Sequence, residues 1–372
     1  MLNTIKLSIF IAAMVFISGC SSDDQRNSIS EQPSSSDTQI INEQADKAVS
    51  TGEPEIVADQ LKMPWSIEKS GNVLYVTEME GTILKIEDGA AERQVVELEH
   101  ELMTTGRGGL LGLELAPDFT DSNLAYAYYS YESNNGQFYR IVRLRLEGNS
   151  WKEEQILLDD IPSGMYHHGG RVKIGPDGKL YATVGDIYVA EIAQDLNLLG
   201  GKILRMNPDG SIPDDNPFPD SYIFSYGHRN PQGIAWSTDG SLYESEHGNN
   251  ANDEINLIEA GQNYGWPIIE GNEVQEGMVS PQFTSGSDET WAPSGIAYSN
   301  GKLYAAALSG SAVIEFDLNS GERREIVNGL GRIRDVLVEN DILYFISSNT
   351  DGRGTPQTDD DKLYRISLTE SK

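Results

Sequence analysis

The chain has one cysteine among 372 residues, Cys20, so no intramolecular disulfide is possible. Basic residues are scarce: 27 Lys and Arg face 58 Asp and Glu, for a net charge of −31. Such a surface repels phosphate backbones and excludes nucleic acid as the expected partner. Helical periodicity is missing too, with no long stretch of it between residues 55 and 372. The apolar run near the start, Leu7 to Ile17, is broken only by Ser8 and is too short to span a bilayer comfortably.

That short run has a better reading. Lys6 supplies a positive n-region, and residues 7–17 fit the apolar core of a signal peptide over residues 1–19. It ends in Ile17-Ser18-Gly19-Cys20, which looks like a bacterial lipobox with Cys20 as the lipidated residue. A plain signal peptide with an incidental Cys20 is the alternative. Residues 20–54 are rich in Ser, Asp, Gln and Glu and lack aromatics, so they read as a flexible tether. The expectation is an exported protein, lipid-anchored to a membrane and facing away from the cytoplasm.

Residues 55–372 carry a recurring phrase, a turn residue followed by Leu-Tyr at the start of an alternating run. It appears at Leu74-Tyr75, Leu180-Tyr181, Leu242-Tyr243, Leu303-Tyr304 and Leu343-Tyr344, with a looser copy at Leu124-Ala125-Tyr126. Six copies at roughly 40- to 60-residue spacing predict six sheets of about four strands. The fold expected is an all-β, six-bladed β-propeller with four-stranded antiparallel blades. Turn signals such as Pro176-Asp177-Gly178 and Asn300-Gly301 punctuate the runs. The segment near Glu55 to Leu61 is expected to join the last strand, residues 362–368, and so close the ring, because an open end would leave unpaired edges. A pair of large β-sandwiches is the alternative, although it does not predict a repeated phrase.

Four segments are too polar or too glycine-rich to be core. They are residues 106–112, residues 167–171 (His-His-Gly-Gly-Arg), residues 226–233 and residues 247–254. Four of the five histidines lie in them, beside glycines that let backbone approach a ligand closely. The run Asp359-Asp360-Asp361 reads as a solvated loop.

The His167-His168-Gly169-Gly170-Arg171 run is followed by Gly175-Pro176-Asp177-Gly178-Lys179-Leu180-Tyr181 and by Val184-Gly185-Asp186. Further on come Gly227-His228-Arg229-Asn230-Pro231-Gln232-Gly233, Asp253-Glu254-Ile255-Asn256, Gly261-Gln262-Asn263-Tyr264-Gly265-Trp266-Pro267 and Arg332-Ile333-Arg334-Asp335. This ordered series resembles the aldose sugar dehydrogenases that depend on pyrroloquinoline quinone (PQQ), also called glucose/sorbosone dehydrogenases. It runs from about Trp65 to Ile366. The resemblance implies a six-bladed propeller that oxidises aldose sugars at C1 to lactones, with PQQ and calcium as cofactors and an electron acceptor the sequence does not name.

The resemblance also implies roles. His167 aligns with the general base that takes the hydroxyl proton while hydride passes to the quinone, and Asp186 with the carboxylate that orients it. Arg229 and Asn230 align with groups on the quinone, where a guanidinium polarises the accepting carbonyl. Arg332 and Arg334 are implied partners of the cofactor carboxylates. His247, Asp253 and Thr290 fall beside these positions as cofactor contacts. The carbonyls of Gly248 and Asn249 are implied ligands of one calcium, and the Glu254 carboxylate with the Tyr264 carbonyl of a second, structural one.

Three positions depart from the family pattern. Arg107 stands where a glutamine is usual, Ser309 where a lysine is expected, and Asn249 where a proline is usual. Arg107, at the cofactor edge, is expected to restore part of the positive charge lost at Ser309. Two other readings stay open: a cofactor-free binding propeller of the cell surface, and a calcium-dependent lactone hydrolase.

Overall fold

The structure, a computed structural model, describes residues 52–103 and 105–368. Cys20, the signal segment and the tether as far as residue 51 lie outside the described residues. Strands dominate. The first nine are β1 (Glu55–Ala58), β2 (Pro64–Ser70), β3 (Val73–Glu78), β4 (Thr82–Glu87), β5 (Ala90–Glu97), β6 (Leu110–Leu115), β7 (Leu124–Ser133), β8 (Gly136–Glu147) and β9 (Ser150–Pro162). The middle of the chain supplies β10 (Val172–Ile174), β11 (Leu180–Val184), β12 (Lys202–Met206), β13 (Ile223–Tyr226), β14 (Pro231–Trp236), β15 (Leu242–Glu246), β16 (Glu254–Ile258) and β17 (Phe283–Thr284). The last seven are β18 (Pro293–Ser299), β19 (Lys302–Ala307), β20 (Ala312–Asp317), β21 (Arg323–Asn328), β22 (Ile333–Glu339), β23 (Ile342–Ser347) and β24 (Leu363–Ser367). Helix is confined to Phe119–Ser122 and a 3-10 turn at Ala190–Gln194 among the described residues.

Four sheets have four antiparallel strands each: β10–β13, β14–β17, β18–β21, and β22–β24 with β1. In the last of these β1 pairs with β24, Glu55 opposite Arg365 and Ile56 opposite Tyr364. The remaining sheet differs from the expectation of separate four-stranded units. It has eight strands in the order β2-β3-β4-β5-β9-β8-β7-β6. The two halves are joined by a parallel pairing, Val95 opposite Ser150 through Glu97 opposite Lys152. The β8–β9 hairpin is long enough to reach the outer strand β5 and cover an edge that would otherwise offer unpaired backbone groups.

The Leu-Tyr phrase now has a physical cause. In all six copies it sits on the second strand of a four-strand group, and successive residues of a strand point to opposite faces. In the five copies where the two are adjacent, the leucine therefore packs toward one neighbouring sheet and the tyrosine toward the other, whereas Leu124 and Tyr126, two apart, share a face. Tyr75 packs edge-on to Phe119 and Trp151, at 5.6 and 5.8 Å. Tyr126 shares a core with Leu180 and Leu204, Tyr181 one with Ile234 and Leu242, and Tyr243 one with Leu303. Tyr304 packs with Leu343, and Tyr344 of the last sheet packs with Leu74, Val76 and Leu84 of the first. The first strands of the groups follow the same order, β2 against β6, β6 against β10, β14 against β18, β18 against β22 and β22 against β2.

Turns behave as their residues dictate. Asn300 and Gly301, with φ of 50° and 79°, form the two-residue connection between β18 and β19 that matches strand twist. The Asp run near the end is a correction. Asp361 is not solvated but fully buried, where it accepts from the Asn349 amide at 2.5 Å and from the Thr350 and Ser347 hydroxyls. A buried carboxylate is stable there because local donors meet its oxygens.

Candidate active site

The loops at one end of the strands enclose a cavity of about 550 Å³. All four segments singled out in the sequence reach it, through Arg107, through His167 to Gly169, through Arg229, Asn230 and Gln232, and through residues 247–250 with Asp253. Thr290, Ser309, Arg332 and Arg334 line it as well.

His167 lies on the loop between β9 and β10, and Asp186 follows β11 directly. The His167 Nδ1 and Asp186 Oδ1 are 2.5 Å apart. A carboxylate can only accept, so Nδ1 carries the proton and Nε2 is left as the basic nitrogen. The other Asp186 oxygen accepts from the Trp266 indole at 2.8 Å, and the Asp186 amide donates to the Arg229 carbonyl at 2.8 Å. The carboxylate is thus fixed from both sides. Gly185, beside it, has no room for a side chain, because a Cβ would overlap the His167 carbonyl. Gly185→Ala should therefore displace His167 and lower turnover at least about tenfold, measured against the wild type at equal cofactor loading.

His168 also borders the cavity but is buried. Its Nδ1 meets the Tyr139 hydroxyl at 2.8 Å, and burial pushes its pKa down to about 4, so it is neutral. His228 lies beneath the cavity, between Ser225 and Glu246 and stacked on Tyr264. Of the four loop histidines, His167 and His247 are the two best placed for ligand chemistry. Burial also holds the His247 imidazole well below its usual range, and its Nε2 lacks a partner within the protein.

Cations crowd this cavity despite the acidic chain. Arg229 is 8 % exposed, its guanidinium lies 5.3 Å from the Trp266 ring, and its Nε has no partner. Burial lowers the pKa of Arg229. Arg332, just before β22, and Arg334, two positions on, both reach in. They converge with Arg107 on a residue the sequence reading missed, Asp351. Its Oδ2 accepts from Arg332 at 2.9 Å, Arg107 at 3.2 Å and Arg334 at 3.3 Å. Arg334 also donates to the Gln232 side chain at 3.1 Å, yet its Nε is unpaired. The floor is Trp65, carried on the buried Arg171 guanidinium at 4.3 Å, with Asp335 pairing Arg171 at 3.0 Å.

The other predicted positions divide into two groups. Asp253 organises the loop: it accepts from the Gly248 amide, the Thr290 hydroxyl at 2.8 Å and the Trp291 and Ala292 amides. Gly248 and Asn249 line the main cavity, and Asn230 accepts from the Gly169 amide. Glu254 and Tyr264 do not line that cavity. They meet at a separate void of about 10 Å³ with Glu246 and Glu270, room for a single small ion or water. Burial, then the neighbouring Glu246, pushes the Glu254 carboxyl up to about 8.

The donor set fits the groups implied by the sequence. Unpartnered, buried nitrogens of Arg229, Arg334 and His247 face an anion-sized deficit of acceptors, which a polycarboxylate would fill. Oxygen-rich surroundings at Glu254 and Tyr264 suit a hard divalent cation.

Comparison with known proteins gives the same direction. The Glucose / Sorbosone dehydrogenase family profile matches residues 61–364. Aldose sugar dehydrogenase YliI of Escherichia coli K12 is 31 % identical over 344 residues, 82 % of this chain and 92 % of the relative. Quinoprotein glucose dehydrogenase B of Acinetobacter calcoaceticus is 34 % identical over 254 residues, 59 % of this chain and 53 % of that one. The PQQ-bound aldose sugar dehydrogenase from Streptomyces coelicolor superposes with a TM-score of 0.79 at 35 % identity, covering 86 % of this chain and 99 % of its own. An oriented His167–Asp186 pair, a cation-lined cavity and a profile match across the described domain have one reading: the chain belongs to the glucose/sorbosone dehydrogenase family of sugar-oxidising enzymes.

Proposed function

We propose that this protein oxidises aldose sugars at C1 to lactones with PQQ and calcium bound in the 550 Å³ cavity. The single observation that carries the proposal is the His167–Asp186 pair opening into a cavity walled by arginine. When bound, the quinone supplies the electrophilic carbon that accepts a hydride. The chain's residues do the rest. His167 Nε2 takes the C1 hydroxyl proton, and Asp186 favours the imidazolium that forms. Arg229 and Asn230 would hold the quinone at its carbonyls, and a buried guanidinium without a full set of partners is placed to stabilise negative charge. Arg107, Arg332 and Arg334 would hold cofactor carboxylates, with His247, Asp253 and Thr290 at the edge. Gly248 and Asn249 would offer carbonyls to the active-site calcium, and Glu254 and Tyr264 would hold a second ion.

The scaffold reads as a six-bladed ring. Six tyrosines each packed toward the next sheet, and β1 paired with β24, support closure by the N-terminal strand. The chain is further proposed to be a lipoprotein, anchored through Cys20 outside the cytoplasm and passing electrons to an acceptor of unknown identity.

The test is reconstitution. Adding PQQ and calcium to the purified protein should shift the quinone spectrum and switch on dye reduction with a panel of aldoses. Omitting calcium should abolish most of that activity and lower the thermal midpoint. No spectral change and no activity with any aldose would refute the enzyme reading and favour a cofactor-free binding propeller.

A further inference from the structure

Beneath the cavity, β15 carries two glutamates that the proposed chemistry does not use. Strand alternation puts Leu242, Glu244 and Glu246 on one face, and the register sets Glu244 opposite Asn256 and Glu246 opposite Glu254. Leu242 packs in the core with Ile203, Ile234 and Ile258, so this face points into the protein. Glu244 and Asn256 are accordingly buried outright, and Glu246 is 3 % exposed.

Three carboxylates buried together are stable only with countercharge or a full set of donors. Here both are short. Among the described residues no Lys or Arg side chain pairs with Glu244, Glu246 or Glu254; the one ion-pair partner is His228, on Glu246. The Asn256 amide, with two hydrogens, is shared among all three at 3.1 to 3.2 Å. Glu244 is the least provided for: one oxygen meets Asn256, while Oε1 is buried without any partner. A calcium ion at Glu254 and Tyr264 would balance two charges, and neither Glu244 nor His228 lines the void where those residues meet.

His228 faces the same glutamates and is itself fully buried. Its Nδ1 lies 3.1 Å from Glu246 Oε1, and its Nε2 lies 2.8 Å from the Ser225 hydroxyl. The ligand atoms of His228, Glu244 and Glu246 all fall within 4.8 Å of one another, the one such trio among the described residues. Two ligands about 2.1 Å from a tetrahedral zinc ion stand about 3.4 Å apart. His228 and Glu246 are already near that spacing, and Glu244 supplies the free oxygen. We propose that His228, Glu244 and Glu246 bind a divalent transition metal, best matched by zinc, at a site separate from both calcium positions.

The donor set decides the class of ion. An imidazole among few ligands suits zinc, whereas calcium takes six to eight oxygens. With the metal on Nδ1 the ring keeps its proton on Nε2 and donates it to Ser225, the outer partner that fixes a metal-bound imidazole. The ion's role is structural. Glu246 also accepts from the Arg229 amide at 2.6 Å, and the His228 ring stacks on Tyr264 at 4.8 Å. A metal here therefore steadies the backbone of Arg229 and the residue whose carbonyl is offered to the second calcium. None of this depends on the proposed oxidation.

The experiment measures metal in the full chain, expressed with zinc and calcium in the medium and purified without chelator. Mass spectrometry of the metals should find about one zinc per chain besides calcium. A wild type free of zinc overturns the site. Burial and then Glu246 push the Glu244 carboxyl well above its ordinary range, so a metal-free site would hold it protonated. Glutamine copies that protonated form, which makes Glu244→Gln the deciding variant. It should lose the zinc, and its thermal midpoint should fall by about 5 °C or more. An unchanged midpoint, or a full equivalent of zinc retained by Glu244→Gln, overturns the proposal. Glu254→Gln should lose calcium and keep zinc; loss of zinc there would merge the two sites and overturn a separate ion. Zinc-edge X-ray absorption of the wild type decides even if the variants fail to fold. Imidazole nitrogen with oxygen ligands supports the site, and sulfur or oxygen alone overturns it. A zinc-bound protein that oxidises no aldose refutes the proposed activity and leaves this site standing.

Discussion

Replacing His167 with alanine is expected to leave quinone binding in place and lower turnover by about 10²- to 10⁴-fold, the usual worth of a positioned general base. The reason lies in the bond to Asp186, at 2.5 Å, which assigns the proton to Nδ1 and the lone pair to Nε2. That assignment makes a sharper second prediction at the same pair. Asp186→Asn keeps the shape, but its amide can donate to Nδ1 and drive the ring proton to Nε2, where it blocks proton abstraction. Tautomer reversal of this kind costs on the order of 10⁴-fold in a Ser-His-Asp site, so Asp186→Asn should be about as damaging as His167→Ala. Steady-state dye reduction with spectrally titrated quinone separates turnover from cofactor binding. Turnover retained by His167→Ala would remove His167 as the base. An Asp186→Asn variant within tenfold of wild type would show that orientation by this carboxylate is dispensable.

How much of this was legible depends on the distance over which each feature is determined. The Leu-Tyr phrase was readable because strand alternation is local, and the sheets place each copy on a second strand. The eight-stranded sheet was not readable: pairing of β5 with β9 depends on how far the β8–β9 hairpin reaches, and no residue type signals that. Site residues with distinctive chemistry, His167, Arg229, Arg332 and Arg334, stood out from their motifs and reach one cavity. Glu254 and Tyr264 came from the same motifs but meet at a separate void. Asp351 was invisible because its loop, Asn349-Thr350-Asp351-Gly352-Arg353, has the composition of any solvated turn. Asp361 was misread for the same cause. In both cases burial comes from partners brought in by other strands.

Substitutions around Asp351 should move cofactor affinity in opposite directions. Arg334→Leu is expected to weaken PQQ binding by about 30- to 5,000-fold, the range for truncating one partner of a buried charge-assisted contact. Burial already drives the Arg334 guanidinium down to about 9 in spite of Asp351, so a bound carboxylate would relieve a strained cation. Arg107→Gln should weaken binding by a smaller factor, because Arg107 is less enclosed; unchanged affinity would refute its compensation for Ser309. Asp351→Asn is the informative contrast. Three guanidiniums share this carboxylate without the cofactor, and removing it leaves them crowded and unpaired. Loss of about 3–5 kcal/mol of stability is expected for the cofactor-free protein. PQQ affinity should rise, because the tricarboxylate no longer competes with an internal anion for the same donors. The pH dependence has a definite sign. Burial alone would raise the Asp351 carboxyl, but Arg334 and Arg332 overcome it and hold it below its ordinary value. A depressed carboxyl stabilises the fold above its unfolded pKa of about 4 and loses that contribution as pH falls through the lowered folded value. The stability gap between wild type and Asp351→Asn should therefore be constant near neutrality and close in acid. Isothermal titration with PQQ and thermal melts across pH measure both quantities. If Asp351→Asn instead weakens PQQ binding as Arg334→Leu does, Asp351 serves to hold the arginines in place, and the competition argument fails.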